Sequence, residues 1–326
     1  MTRSEAPSIF TQSAQPLRLT FLVFSGCSIM CVAAAVDPLR AANRIAGRTV
    51  FDWTLVSADG APAMTTSGLP VAVSGRFDAG DRTDVLVALG GFGTRYETAT
   101  SLVAGFRRAA KAARAVGGIE AGGWLLGRAG LLAGRTATTH WEDLEDFASS
   151  FPEADVRPDR YVIDGNVFTC GGAAPAFDMM LHLVRARLGA AVAVDAASVF
   201  IYDQVRPATD PQPLVSLGRL NARDPRLARA VRLMESHIAE PLTIAAIALR
   251  VGLSTRALEL LFRRVLGETP GAYSLRLRLA AARRLVLDTS EPMADIAART
   301  GFSSASAFSR AFSVAFDTPP AKMRRG

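Results

Sequence analysis

As far as about residue 202, short apolar runs alternate with helix-length amphipathic segments, and beyond residue 224 nearly every segment has helical period. The runs 19–24, 51–57 and 84–89 read as strands, and the last, short and apolar, predicts a strand buried on both faces. Residues 101–116 carry apolar positions at helical spacing, with Arg107, Arg108, Lys111 and Arg114 on an exposed side. A short strand at 117–120 leads into a helix through Leu126, and 174–188 forms another amphipathic helix. Strands alternating with helices predict an α/β domain: a parallel sheet sandwiched by helices, flavodoxin-like in layout. The last third predicts an all-α domain with two helix-turn-helix units. Residues 1–16 read as a flexible tail. The stretch 204–221, with three prolines and no period, reads as a linker. The expected division is a tail over 1–16, an α/β domain over 17–204, a linker over 205–222 and a helical domain over 223–326.

One apolar run, 19–36, reaches 18 residues, the lower limit for a membrane-spanning helix. Thr20, Ser25, Gly26 and Ser28 interrupt it and Asp37-Pro38 ends it, so a strand, a turn and a helix fit better than a span. No basic start precedes it, as a signal peptide would need.

Composition adds an asymmetry. Residues 1–215 hold 19 basic and 21 acidic side chains, a net of −2, whereas 216–326 hold 18 and 9, a net of +9. A basic module behind a neutral one is the electrostatic footprint of a polyanion reader joined to something else. Thirty-five of the 37 basic residues are arginine. The three cysteines, Cys27, Cys31 and Cys170, cannot all pair within the chain, which points to a reducing, cytoplasmic setting.

The basic third repeats itself. Ile247-Ala248-x-Arg250-x-Gly252-Leu253-Ser254 matches Ile296-Ala297-x-Arg299-x-Gly301-Phe302-Ser303 at a spacing of 49, and Phe262 and Pro270 match Phe312 and Pro320 at a spacing of 50. Gly252 and Gly301 suit the left-handed residue that ends a helix. Ser254 and Ser303 suit the caps of the helices that follow. Two helix-Gly-turn-helix units joined by a long helix over 273–287 can set two recognition helices in successive major grooves.

These residues resemble the DNA-binding domain of AraC/XylS-type transcription regulators over about 100 residues. The motifs are Pro-Leu-Thr-Ile-x-x-Ile-Ala at 241–248, Gly-x-Ser-x-Arg-x-Leu-x-x-Leu-Phe at 252–262, Gly-Phe-Ser-Ser-x-Ser-x-Phe-Ser-Arg-x-Phe at 301–312 and Pro-Pro at 319–320. The resemblance implies a first recognition helix over 254–265, with Thr255, Arg256, Glu259 and Leu260 facing bases. It implies a second over 304–315, with Ala305, Ser306, Ser309 and Arg310 at matching positions. Arg263, Arg264, Arg283 and Arg284 become phosphate candidates, and Leu258, Leu261, Phe262, Phe308 and Phe312 core residues.

In the first domain, Gly118-Ile119-Glu120-Ala121-Gly122 has the Gly-x-nucleophile-x-Gly form of a sharp strand-to-helix elbow. With Asp37-Pro-Leu-Arg-Ala-Ala-Asn43, Gly90-Gly-Phe-Gly93, Gly130-Leu-Leu-x-Gly134, Ala137-Thr-Thr-His-Trp141, Tyr161-Val-Ile-Asp-Gly165 and Thr169-Cys-Gly-Gly-Ala-x-Pro-Ala-Phe-Asp178, this region resembles the class I glutamine-amidotransferase-like fold shared with intracellular-protease-like proteins. Ahead of an AraC-type domain, that arrangement is similar to the GlxA-type regulators.

Enzymes of this fold carry a cysteine at the elbow, activated by a downstream histidine. Here the elbow residue is Glu120, so His140 has no thiol to activate and no catalytic residue is expected. An amidase or protease tethered to DNA is the alternative that this departure disfavours. By the resemblance, Asp37 lies beside Glu120, Gly91 and Phe92 line the cleft, and Trp124 and His140 complete it. Acid with aromatic suits an ammonium group, and regulators with an acidic elbow are similar to sensors of amines such as betaines, carnitine or arginine. The acidic run Glu142, Asp143, Glu145 and Asp146 reads as a solvated helix face without metal-ligand partners. The expectation is a transcription activator without metal or cofactor. Its partners are double-stranded DNA, a small-molecule effector, a second copy in a homodimer and RNA polymerase, with no membrane.

Overall fold

The protein is described from a computed structural model. It covers residues 8–13, 15–91, 93–97, 99–202, 205–209, 212, 224–289 and 291–324, without the side chains of 97, 284, 287 and 288. Two units separate, Met1–Gln212 and Pro213–Gly326.

The main sheet of the first unit is built from β1 (Leu17–Val23), β2 (Phe51–Val56), β3 (Val85–Leu89), β4 (Ala115–Ile119), β5 (Tyr161–Asp164) and β6 (Val167–Cys170). Their order is β2-β1-β3-β4-β6-β5. All neighbours are parallel except β5, which pairs antiparallel to β6 with Tyr161 opposite Cys170. Period-two alternation sorts the side chains of β3 onto two faces. Val85, Val87 and Leu89 enter one core with α1 (Ile29–Ala46) and α4 (Ala173–Leu188). Leu86 and Ala88 enter the other with α2 (Thr100–Ala112) and α3 (Gly122–Arg128). A further helix, α5 (Ala190–Ser198), packs on α1 and α4. The expected helix over 101–116 stops at Ala112 because Ala115 and Val116 are needed in β4 beside Val85 and Leu86.

Two expectations about chain ends change. Residues 8–13, 15 and 16 are not loose: Ile9 is buried, Phe10 packs edge-on to Phe168 at 6.3 Å, and Arg187 donates to the carbonyls of Ile9 and Gln15. Residues 205–209 and 212 do not belong to a linker either. The Ala208 carbonyl accepts from the amides of Arg160 and Tyr161, and Gln212 is buried, so the first unit continues to residue 212. The expected linker residues 210, 211 and 213–222 lie outside the described residues. No described helix is long and apolar enough to cross a membrane. Leu19–Val23 is in β1, Ile29–Val36 is in α1, and Gly26 takes a left-handed φ of 81° between them.

The second unit contains α6 (Pro225–Ser236), α7 (Ile244–Arg250), α8 (Thr255–Leu266), α9 (Pro270–Asp288), α10 (Met293–Arg299) and α11 (Ala305–Phe316). Two cores form. Leu227, Val231, Ile247, Leu258, Leu261, Phe262 and Tyr273 make the first; Leu279, Ala282, Val286, Ile296, Phe308 and Phe312 make the second. Helix α9 supplies residues to both and is the beam that joins them.

Candidate DNA interface and effector site

In each half of the second unit a short helix ends at a left-handed glycine and a capped helix follows. Gly252 and Gly301 both take φ 73°. The Ser254 hydroxyl accepts from the Ala257 amide at 3.2 Å and caps α8. In the second half the cap is Ser304, which accepts from the Ala307 amide at 3.1 Å, and not Ser303. The one-residue insertion therefore falls inside the second turn: α10 repeats α7 at a spacing of 49, but α11 repeats α8 at 50.

On α8, Leu258, Leu261 and Phe262 turn into the core, while Thr255, Arg256, Glu259, Leu260, Arg263 and Arg264 are exposed. On α11, Phe308 and Phe312 are buried, Ala305, Ser306 and Arg310 are exposed, and Ser309 is half-buried. The Ser306 hydroxyl lies 3.1 Å from that of the cap Ser304. Arg256, Arg263, Arg264 and Arg310 make no hydrogen bond or ion pair among the described residues, which leaves their guanidinium groups open to an incoming polyanion. Arg283 differs: its guanidinium lies over the Phe316 ring at 5.1 Å with Nε buried, so packing and not phosphate claims it. The side chain of Arg284 lies outside the described residues.

In the first unit β4 ends in a true elbow. Glu120 takes φ 56°, a left-handed conformation that a residue with a side chain rarely adopts, and it directs the side chain off the sheet end. Its amide donates to the Cys170 carbonyl at 2.9 Å, and its carbonyl accepts from the Thr139 hydroxyl at 3.0 Å. Its carboxylate accepts from the Cys31 thiol at 2.8 Å. Burial pushes the Glu120 carboxyl above the ordinary carboxylate range; the Cys31 bond and nearby His140 oppose this, and Asp143 and Glu142 add to it.

The other predicted cleft residues divide. His140 stays near the elbow, and its ring lies 5.5 Å from that of Trp141. Asp37 does not stand beside Glu120: it pairs with Arg40 one helical turn on, at 2.7 Å, with its side chain 40% exposed. Trp124 is core, 3% exposed, with edge contacts to Phe147 and Phe151 and the protein's own Arg95 over its ring at 5.1 Å. No face remains for a ligand cation. The Gly91 amide donates to the Thr94 hydroxyl at 2.9 Å, so it is satisfied internally. Gly91 is needed for space, since a Cβ there would lie 1.8 Å from the Gly26 carbonyl oxygen. Phe92 lies outside the described residues.

Three residues around the elbow escaped the sequence reading. In the predicted solvated acidic run Glu142 and Asp143 are half-buried, their charges bear on Glu120, Asp143 lies 3.8 Å from the Arg95 guanidinium, and burial raises the Asp143 carboxyl as well. Cys31, one turn into α1, is the elbow's direct partner, 89 positions away in sequence, and no local pattern announces it. The thiols are not nucleophiles at neutral pH. Burial, with the Glu120 carboxylate nearby, lifts Cys27 to about 11 and Cys31 higher still, and burial lifts Cys170 to about 12. Among the described residues no group of His, Cys, Asp and Glu could hold a metal ion.

Comparison with known proteins agrees with both units. Residues 18–186 match the DJ-1/PfpI family, and 247–326 match a helix-turn-helix domain. The chain is 33% identical over 321 residues to the HTH-type transcriptional regulator GbdR of Pseudomonas aeruginosa (strain UCBPP-PA14), covering 98% of this chain and 88% of that one. It is 33% identical over 309 residues to the HTH-type transcriptional regulator GlxA of Rhizobium meliloti (strain 1021), covering 94% and 95%. A crystal structure of an AraC family transcriptional regulator from Pseudomonas putida superposes with a TM-score of 0.52 at 26% identity, over 57% of this chain and all of that one. The chain belongs to the DJ-1/PfpI family, among the GlxA-type members that carry an AraC-type helix-turn-helix domain, and it is a DNA-binding transcription regulator rather than an enzyme.

Proposed function

We propose that a small cationic or zwitterionic amine, of the betaine, carnitine or arginine kind, binds at the Glu120 elbow and makes the protein an activator at its operator. The observation that carries this is the strained, buried carboxylate of Glu120 with Asp143 and Glu142 close enough to raise its proton affinity. A cation entering there relieves the crowding of negative charge. The ligand set is Glu120, His140, Glu142 and Asp143. Thr255, Arg256, Glu259 and Leu260 read bases in one major groove, and Ala305, Ser306, Ser309 and Arg310 in the next. Arg263 and Arg264 hold phosphates. The active form is a cytoplasmic homodimer that contacts RNA polymerase.

The test is a thermal-shift series of glycine betaine, carnitine and arginine on the full chain and on Glu120→Gln. At least one amine is expected to raise the α/β transition of the parent and not that of the variant. Equal shifts in both, or none in the parent, overturn the reading. The same variant carries a pH prediction. Because burial raises the folded carboxyl above its ordinary value near 4.5, the folded state favours the proton. The stability so gained is full below that ordinary value and is lost as pH rises through the raised folded value. The transition of the parent should therefore fall toward neutral pH, while that of Glu120→Gln stays flatter. Binding of a cation should release a proton, and affinity should weaken in acid.

A further inference from the structure

A cavity of about 830 Å³ opens in the first unit at the carboxyl end of β1. Small-molecule sites span roughly 300–1,000 Å³. The strand order β2-β1-β3-β4 reverses direction between β1 and β3, and α1 and α2 pack on opposite faces of the sheet. The crevice outside the carboxyl ends of strands at such a reversal is where open α/β sheets take their ligands. Val23 ends β1 and forms one wall with Phe24 and Ser25; α2 forms another through Ser101, Leu102 and Arg108. Cys31, Glu120, His140, Glu142 and Asp143 are not in the lining, so the cavity is distinct from the elbow.

Two cations line it from separate elements. Arg76 stands on a segment that runs beside β2: the Phe77 amide donates to the Ser57 carbonyl at 2.8 Å, and the Ser57 amide to the Gly75 carbonyl at 3.2 Å. Arg108 stands midway along α2. Its neighbour Arg107 is engaged, donating to the Ala129 and Arg128 carbonyls at 2.7 and 3.1 Å. Arg76 and Arg108 are exposed, and their side chains make no hydrogen bond or ion pair among the described residues. Two aspartates line the cavity as well, but each is tied to its own turn. Asp59 Oδ1 accepts from the Ser57 hydroxyl at 3.1 Å and the Ala61 amide at 3.0 Å, and Asp78 Oδ1 accepts from the Gly80 amide at 2.8 Å. Half-buried Phe24, Phe77 and Leu102 give the same lining an apolar surface. Helix α2 starts at the cavity with Ala99 at its cap and no acid in its first turn, so nothing there offsets its positive end.

We propose that this cavity binds an organic carboxylate with an apolar body, the carboxylate held by Arg76 and Arg108 and the body packed on Phe24, Phe77 and Leu102. Guanidinium groups hold carboxylates through short, charge-assisted N–H···O bonds. The apolar body gains by leaving water. Because the two arginines come from the segment beside β2 and from α2, one carboxylate would tie those elements together. This goes beyond the amine reading of the elbow, since it uses other residues and the opposite ligand charge, and it stands without that reading.

The test is calorimetric titration of the full chain with benzoate, phenylacetate and hexanoate, and with benzamide as the uncharged control. At least one carboxylate is expected to bind, and benzamide is not. Arg76→Gln and Arg108→Gln should each weaken that binding about tenfold or more, as loss of a hydrogen bond to a charged group does. Both side chains are exposed and unpaired, so the variants should keep the parent's unfolding transition. Arg82→Gln, at an exposed arginine outside the cavity, and Glu120→Gln should bind like the parent. No binding of any of the three carboxylates, equal binding of benzamide, or parent-like binding by either Arg76→Gln or Arg108→Gln overturns the site. So does an equal loss in Arg82→Gln, which would mean general attraction to a basic surface. A loss in Glu120→Gln alone would move the carboxylate to the elbow and overturn it too.

Discussion

The two helix-turn-helix halves share a plan and differ in how they are held. A Cβ on Gly252 would meet nothing within 4 Å, so the first turn needs its glycine for φ alone. A Cβ on Gly301 would lie 2.5 Å from the Pro241 ring and 2.6 Å from the Ile238 carbonyl, so the second turn is pressed onto the loop that precedes α7. Arg278 of α9 reinforces it, donating to the Thr300 and Gly301 carbonyls at 2.9 and 2.6 Å with its guanidinium 4.3 Å from the Phe302 ring. Among the described residues the first half has Arg276 in that place, over Tyr273 at 4.8 Å and paired with Glu268 at 2.5 Å. Charge runs the other way: α8 exposes Arg256, Arg263 and Arg264, and α11 exposes Arg310 alone. A repeated sequence has thus become a charged half on a loose turn and a lightly charged half on a braced one.

The largest effect should come from the glycines. Alanine in a left-handed position costs about 1–2 kcal/mol, which is all that Gly252→Ala should lose. Gly301→Ala adds overpacking against Pro241 and Ile238 of about 1–3 kcal/mol, for a total of about 2–5 kcal/mol. Urea unfolding of the helical unit reads both, and equal losses would abolish the asymmetry. Next come the braces. Arg278→Ala removes two charge-assisted bonds to helix-end carbonyls and should cost about 2 kcal/mol. Arg276→Ala breaks a partly exposed pair and should cost under about 1 kcal/mol. The reverse ranking would mean that the first half is the braced one.

DNA binding sharpens the same contrast. Arg310→Ala should cost about 1–3 kcal/mol on the specific operator and relax preference at one base step. Arg263→Ala should weaken specific and random duplexes alike and reduce the salt slope by about 0.9. Titrations at several salt concentrations separate the two. Uniform weakening by Arg310→Ala would make it a phosphate contact and leave the braced half without a base-reading cation.

What could be read in advance follows the range of the forces involved. The turns and caps obey rules spanning a few residues, so both halves of the repeat were visible in the sequence, as was the glycine-flanked elbow. The contacts that make the elbow what it is span far more chain. Cys31 reaches Glu120 across 89 positions and Gln212 reaches Thr139 across 73. Asp37 was placed beside Glu120 by analogy, but Arg40 on the next turn of α1 holds it. Trp124 carried an aromatic signal that fits a cage as well as a core, and only the positions of Phe147, Phe151 and Arg95 decide between them.

The smallest effect tests the insertion itself. A repeat read at a spacing of 49 assigns the cap of α11 to Ser303, whereas the helix begins one residue later and Ser304 accepts the Ala307 amide. Ser304→Ala should cost about 1 kcal/mol, as loss of a serine cap does. The exposed Ser303, outside the cap, should tolerate alanine within about 0.5 kcal/mol. In the first half Ser254→Ala should match Ser304→Ala, since both caps hold the third amide on at nearly the same distance, 3.2 and 3.1 Å. If Ser303→Ala were the costlier change, α11 would start a residue early and Arg310 would turn by about 100° about the helix axis. The base contact assigned to it would then pass to a neighbour.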